Sequence, residues 1–170
     1  MPSRQPPDEP QWFVCHTMAR CEKKFAALLE RESIPHYLPL IRSAKRYPGS
    51  GTKHFEKPLF PGYVFAEIPP AKKNRIYQRD LVARALWVED QALLLRQLDE
   101  VRTILASGVK ITLQPLLQKG RRVRINAGPL MGVEGIVDNP DDPRGIVVSV
   151  DVMRQGILVP IDPEYLEPIT

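Results

Sequence analysis

Few side chains in this sequence have the types and spacing for covalent or metal chemistry. Cys15, His16 and Cys21 lie close together, and thiolate and imidazole are the common ligands of zinc. A structural zinc site needs four such ligands, and no second cluster follows Cys21 at zinc spacing. The two cysteines are better read as reduced, partly buried thiols, since a secreted chain of this size usually carries a larger, even-numbered framework. His36 and His54 are scattered, with no acid or nucleophile beside them in sequence. Asp141 and Asp142 stand in the run Asp138-Asn-Pro-Asp-Asp-Pro143, where carboxylates serve turn geometry. There is no Gly-x4-Gly-Lys-Ser/Thr loop and no Gly-x-Gly-x-x-Gly after a strand. These residues argue against an enzyme and call for no metal and no cofactor.

Charge is the stronger signal. Residues 1–113 hold 18 Lys+Arg against 12 Asp+Glu, and residues 114–170 hold 6 against 8. The first half is therefore net +6 and the second net −2, which implies different partners for the two. Nine basic residues and two acidic ones fall between Arg42 and Arg79, a density suited to phosphate. With 43% hydrophobic and 26% charged residues the composition is that of a soluble globular protein. No run approaches the roughly 18 apolar residues of a membrane span, and no signal-peptide pattern opens the chain. The expected location is the cytoplasm, and the expected state is a monomer.

The elements that would position these residues follow from periodicity. Trp12–Thr17 is a short apolar strand. Cys21, Phe25, Leu28 and Leu29 mark one face of a helix over 19–32, which Pro35 ends. A strand over 37–41 contains Pro39, which has no N–H for a ladder and so implies an edge or a bulge. Tyr47-Pro-Gly-Ser-Gly-Thr52 is a hairpin tip with basic flanks. Gly62 leads into a strand ending at Ile68, and a polar helix over 71–81 and a strand over 85–88 follow. A second helix starts after Asp90 with the stripe Leu94, Leu98, Val101 and Leu105, and Gly108 stands at its C′ position. Short β-prone runs punctuated by glycine and proline, over 123–125, 135–137, 146–150 and 156–159, occupy the rest. The domains expected are a disordered leader (1–10), an α+β domain with helices on an antiparallel sheet (11–113), a linker (114–119), and a small five-stranded β-barrel (120–170).

Two constellations suggest function. In the strand after Gly62, alternation puts Val64, Ala66 and Ile68 on one face and Tyr63, Phe65 and Glu67 on the other. The small, branched set suits a core, which leaves two aromatics on a face that is ordinarily polar. That predicts a partner surface or a second covering layer supplied by the last helix or the barrel. In Gly120-Arg-Arg-Val-Arg-Ile-Asn-Ala-Gly-Pro-Leu-Met-Gly-Val-Glu-Gly-Ile-Val137, Gly128-Pro129 forces a tight loop with Leu130 and Met131 at its tip. Apolar side chains so placed suit protein docking, or a loop folded back over the open end of the barrel.

The strand-helix opening Trp12-Phe-Val…His-Thr…Glu-Lys-Lys24, the box Pro58-Leu-Phe-Pro-Gly-Tyr-Val-Phe65 and the Gly120–Val137 run resemble, in order, the NusG family. The first two match its N-terminal (NGN) domain and the third its KOW motif. The resemblance implies a non-enzymatic transcription elongation and antitermination factor whose N-terminal domain grips the clamp of RNA polymerase and suppresses pausing. The gripping residues would be Trp12, Phe60, Pro61, Tyr63 and Phe65. Lys45, Arg46, Lys53, Lys72, Lys73 and Arg75 would face nucleic acid or the opposing clamp. Leu130 and Met131 match positions that in relatives dock the termination factor Rho or a small-subunit ribosomal protein.

Two features depart from the housekeeping pattern. The turn before Ala85–Val88 reads Asp80-Leu-Val-Ala-Arg-Ala85, without glycine, and the long helix with its brief linker resembles specialised RfaH-like paralogues. A competing reading is a KOW-type RNA-binding or ribosome-associated protein, which would need a basic barrel. RfaH can hold its C-terminal domain as a helical hairpin. Here Gly120, Gly128, Gly132, Gly135, Gly145 and Gly156, with Pro129, Pro140, Pro143 and Pro160, oppose that form. A glycine inside a helix costs about 1 kcal/mol and a proline about 3 kcal/mol relative to alanine. NMR of the whole protein is accordingly expected to show strand-type shifts and slow amide exchange over the last fifty or so residues. A helical C-terminal half in free solution would overturn that expectation.

Overall fold

The strand after Gly62 sets the register of the N-terminal unit, because its two faces differ so sharply in size and polarity. The computed structural model describes residues 5–77, 79–115, 120–137 and 145–169. The chain forms two compact units, Met1–Gln91 and Ala92–Thr170. In the first, strands β1 (Gln11–Thr17), β2 (His36–Tyr37), β5 (Tyr63–Ile68) and β6 (Val82–Trp87) make a four-stranded sheet in the order β2-β5-β1-β6. All of its pairings are antiparallel. Helix α1 (Glu22–Arg31) buries Phe25, Leu28 and Leu29 against one face, where Phe13, Cys15, Val64, Ala66 and Ile68 supply the facing layer. The expected division of the strand's two faces is therefore the one observed.

Proline and hydrogen bonding explain the local departures. The strand expected over 37–41 is split at Pro39: β2 ends at Tyr37, and β3 (Leu40–Tyr47) starts a separate two-stranded ribbon with β4 (Gly51–Pro58). The Pro39 carbonyl accepts instead from the Leu59 N–H at 2.9 Å. Where a polar helix was expected over 71–81, a 3-10 segment covers Pro70–Tyr77. Ile76 is its one buried residue, so no apolar stripe pays for an α-helix there. Residues 5–10 have no regular structure, but Pro6, Pro7, Asp8 and Glu9 line a small cavity with Phe13, Ile68, Pro70 and Lys73. Burial pushes the Cys15 thiol up to about 12, so at neutral pH it is a small core hydrophobe and not a nucleophile.

The second unit contains helix α2 (Gln91–Ser107), which begins with the last residue of the first unit, and strands β7 (Thr112–Pro115), β8 (Arg121–Ile125), β9 (Glu134–Val137), β10 (Ile146–Val150), β11 (Gln155–Val159) and β12 (Leu166–Pro168). The ladder runs β12-β8-β9-β10-β11-β7, antiparallel throughout. Four of its strands, β8 to β11, fall on runs singled out in the sequence, and β12 supplies a fifth. The sixth, β7, lies where the linker was expected to begin, and it pairs with β11 from Gln155↔Pro115 to Leu158↔Thr112. Residues 116–119 of that linker, residues 1–4 of the leader, and the Asp138–Pro143 turn lie outside the described residues. Gly145 shows why glycine punctuates this half. Its φ is +152°, and a Cβ there would stand 2.1 Å from the Val159 carbonyl oxygen.

The boundary between compact units thus falls after Gln91, upstream of the composition change at 113. Polar bonds from α2 to the β-rich ladder account for this. Gln97 Nε2 donates to Asp151 Oδ1 at 3.0 Å, and Gln97 Oε1 accepts from the Asp151 N–H at 2.9 Å. Glu100 accepts from the Glu134 N–H at 2.9 Å. The apolar stripe of α2 is buried at Leu94, Leu98, Val101 and Ile104. Leu105, expected in that stripe, is half-buried. A cavity of 390 Å³ lies beside these bonds, lined by Arg96, Gln97, Glu100, Arg122 and Glu134 among others.

Desolvation raises the Glu100 pKa above its ordinary value; the Glu134 N–H and Arg96 oppose the rise, and the Glu134 carboxylate adds to it. The native state therefore binds this proton more tightly than the unfolded chain does. Stability contributed by the protonated form is present below the unfolded value and is lost as pH rises through the folded one. Glu100→Gln keeps the acceptor oxygen without the half-buried charge. It is expected to raise Tm at neutral pH, with the gain vanishing below about pH 4 because wild-type Glu100 is protonated there. Thermal melts of both proteins across pH 4 to 8 check this.

Candidate functional site

Phe60-Pro61-Gly62-Tyr63 is a β-turn built from its two central residues. Pro61 sets φ for the second position, and Gly62 supplies φ +88° at the third, as a type II turn requires. The Tyr63 N–H closes it on the Phe60 carbonyl at 3.2 Å. Two further bonds clasp it: the Thr17 N–H donates to the Gly62 carbonyl at 2.8 Å, and the Gly62 N–H donates to Glu22 Oε1 at 3.0 Å. The end of β1, the first turn of α1 and the start of β5 are thereby joined at one glycine.

This junction places the aromatic face of the sheet. The register pairs Trp12↔Glu67, Val14↔Phe65 and His16↔Tyr63 between β1 and β5, and Val14↔Leu86 between β1 and β6. Directly opposed residues share a face, so Trp12, His16, Tyr63, Phe65 and Leu86 stand on the side away from α1. Tyr63 is half-buried and stacked on His16, with ring centroids 4.9 Å apart and planes 13° from parallel. Trp12 is half-buried, and its backbone N–H and carbonyl are both held by the Gln91 side-chain amide, at 2.7 and 3.0 Å. Pro61 is exposed.

Phe60 and Phe65 behave otherwise. They were expected on an open gripping face, yet they are 1% and 0% exposed. The turn folds Phe60 back so that its ring meets Phe65 edge-on at 6.3 Å, an arrangement aromatic quadrupoles favour. Neither ring is open at the surface. The sequence reading missed Leu86, which is 44% exposed on the same face. Its position between Ala85 and Trp87 was the available signal, since alternation sets it opposite both.

The six basic residues do not form one set. Lys45, Arg46 and Lys53 project from the β3–β4 ribbon, fully exposed. Lys72 and Arg75 are engaged at the end of α1: Lys72 Nζ donates to the Glu32 carbonyl, and Arg75 pairs with the Glu32 carboxylate at 3.0 Å. Cations there satisfy the helix's last carbonyls and oppose its dipole. Lys73 lies over the Phe13 ring at 5.8 Å. These three have local structural partners within the first unit.

The second unit gives a similar correction. Gly128 and Gly132, at φ +82° and +92°, frame the loop between β8 and β9, and the Met131 N–H closes a turn on the Gly128 carbonyl at 3.1 Å. Leu130 was expected at the loop tip but folds inward, 5% exposed, while Met131 stands 67% exposed. Glu134 gathers the nearby cations, with Arg124 at 2.8 Å, Arg122 at 3.8 Å and Arg96 at 4.0 Å.

The described surfaces thus include a half-open aromatic face and a basic ribbon in the first unit and an exposed loop methionine in the second. The family model described as "Transcription termination factor nusG" matches residues 10–117. The chain belongs to the NusG family and is a transcription factor of that family. Among curated proteins none matches it in sequence. Of solved structures, NusG of Thermotoga maritima, described under "Domain interaction", is similar at 18% identity over 95% of this chain and 98% of that one, with a TM-score of 0.49. The MjSpt4:Spt5 complex is similar at 17% identity over 94% and 97%, with a TM-score of 0.31. The described residues contain no helix long and apolar enough to cross a membrane.

The clasp at Gly62 yields a direct test. Glu22→Ala removes the acceptor and leaves the Gly62 N–H half-buried and unpaired, at a cost of about 1–3 kcal/mol. Urea unfolding should show a lower midpoint with an unchanged slope.

Proposed function

We propose that this protein is a transcription elongation and antitermination factor that binds the RNA polymerase clamp through the half-open face around Trp12, Pro61, Tyr63 and Leu86, and recruits a second protein through its KOW-type unit. The observation that carries the reading is the Pro61-Gly62 turn, which holds Tyr63 stacked on His16 and half-open beside an exposed Leu86. Rigid aromatics at a rim lose little side-chain entropy on binding, which is why they concentrate binding energy. Phe60 and Phe65 stiffen the platform from beneath. Met131 is the residue available to dock Rho or a small-subunit ribosomal protein. An elongation factor of this kind would work in the cytoplasm as a monomer. The long α2 favours the specialised, RfaH-like reading over the housekeeping one.

The alternative, a KOW-type RNA-binding or ribosome-associated protein, is less well supported by the charges. Arg122 and Arg124 on β8 are drawn to Glu134, and Arg124 also to Glu167 at 3.8 Å. Arginines so paired offer little net field to a phosphate backbone.

Tyr63→Ala combined with Leu86→Ser tests the main reading, since neither side chain belongs to the buried core. The variant should fold normally by circular dichroism yet lose about tenfold or more in retention on immobilised core RNA polymerase, the effect of removing one or two anchors of about 1–2 kcal/mol each. Met131→Glu should leave polymerase retention intact and abolish capture of the KOW partner. Full retention by the double variant would place the polymerase contact elsewhere.

A further inference from the structure

The face of the first sheet away from α1 carries a cation that the residues named so far leave out. In a regular strand Val82, Arg84 and Leu86 would share one side. Here the register between β1 and β6 shifts by one residue, from His16↔Arg84 to Thr17↔Val82, so that Ala83 is extra on β6. Such a bulge re-aims the side chains that follow it. Val82 stays in the core, and Ala85 and Trp87 pack against that core. Arg84 and Leu86 turn to the opposite face. Tyr63, His16 and Arg84 then form one row across β5, β1 and β6, and Phe65, Val14 and Leu86 form the next.

Nothing within the fold calls for a charge at this place. Arg84 is exposed and forms no ion pair with a carboxylate among the described residues. Glu67 shares the face, but it stands opposite Trp12, four positions along β1 from His16. That is about 14 Å at a rise of about 3.4 Å per residue. Glu22 is engaged elsewhere, by the Gly62 N–H. Beside Arg84 stand an imidazole stacked on Tyr63 and a leucine that is 44% exposed. A guanidinium left uncompensated at the rim of an apolar patch sets the charge that a partner must bring.

We propose that Arg84 is a specificity-determining residue of this face: it pairs with a carboxylate of the polymerase clamp, next to an apolar clamp side chain seated between Leu86 and Tyr63. The inference rests on the polymerase-binding reading above and adds to it the charge of the segment that is bound. Arg84 and Leu86 are two positions apart on one strand, about 7 Å. A matching segment carries an acidic residue at a similar distance from its apolar anchor, as residues one helical turn apart do. A basic segment of equal hydrophobicity would set like charges against each other and be rejected. Arginine suits the task, because its planar fork offers paired donors to a carboxylate and loses less hydration than an ammonium group.

The test measures binding of the full chain to immobilised core RNA polymerase free of nucleic acid, at salt from about 0.05 to about 0.5 M. Arg84→Ala should weaken binding about two- to fivefold at low salt, the range for one exposed ion pair. Most of that loss should lie in the on-rate. Arg84→Glu should weaken binding about 4- to 25-fold, because a repulsion of similar size replaces the attraction. Arg84→Lys should keep the salt dependence of wild type. All three should melt with wild type, since Arg84 has no carboxylate to lose, and their affinities should converge at high salt. Arg84→Glu binding as well as wild type, or no worse than Arg84→Ala, overturns the proposal. A loss that appears only once a DNA–RNA scaffold is loaded means that Arg84 meets phosphate, and it overturns the assignment to a carboxylate. Tyr63→Ala with Leu86→Ser, run in parallel, separates the two claims. Loss in that double variant alone sinks the role of Arg84 and leaves the binding face standing, whereas full retention by it and by Arg84→Glu sinks both.

Discussion

Gly62 is the point on which the N-terminal unit depends. Its positive φ allows the chain to reverse between Phe60 and Tyr63, and its two backbone groups are bonded to β1 and to the first turn of α1. A side chain there would be strained by that φ and would also contact the His16 ring at 3.5 Å. The stacked pair His16–Tyr63, the inward turn of Phe60 and the opening of β5 all follow from this reversal. The half-open face of the sheet is therefore preorganised by backbone bonds, and its side chains have little conformational entropy left to lose.

The two halves solve different electrostatic problems. In the β-rich unit, a single carboxylate, Glu134, draws in three arginines, and Glu100 is a half-buried carboxyl whose pKa desolvation raises. In the first unit, two cations are spent at the end of α1, where Glu32 receives them. The lysines of the ribbon are left without such compensation. Charge that a fold does not neutralise within itself is available to attract an external polyanion.

The fold class was legible in the sequence because it rests on periodicity and punctuation. Val64, Ala66 and Ile68 could be assigned to the core from alternation alone, as could Phe25, Leu28 and Leu29 from helical spacing. The Pro-Gly pairs at 48–49 and 61–62 announced their turns, because few other dipeptides favour that backbone geometry. The family resemblance carried by the Pro58–Phe65 box was likewise readable in one dimension, and that box lies inside the family model's match over residues 10–117.

Exposure was not legible, and most of the site turns on exposure. Alternation puts Tyr63 and Phe65 on one face, but only the fold reveals that Phe60 returns to seal Phe65 and leaves Tyr63 half-open. Leu130 and Met131 are neighbours in a loop, yet one turns inward and the other outward. Lys72 and Arg75 looked equivalent to Lys45 and Lys53 until Glu32, some forty positions away in the chain, was seen to bind them. The allegiance of α2 was settled by bonds to Glu134 and Asp151, residues far downstream. A sequence determines which faces and turns a chain can form, because those depend on near neighbours. Which side chains remain open to a partner depends on distant residues, and tertiary structure alone brings those together.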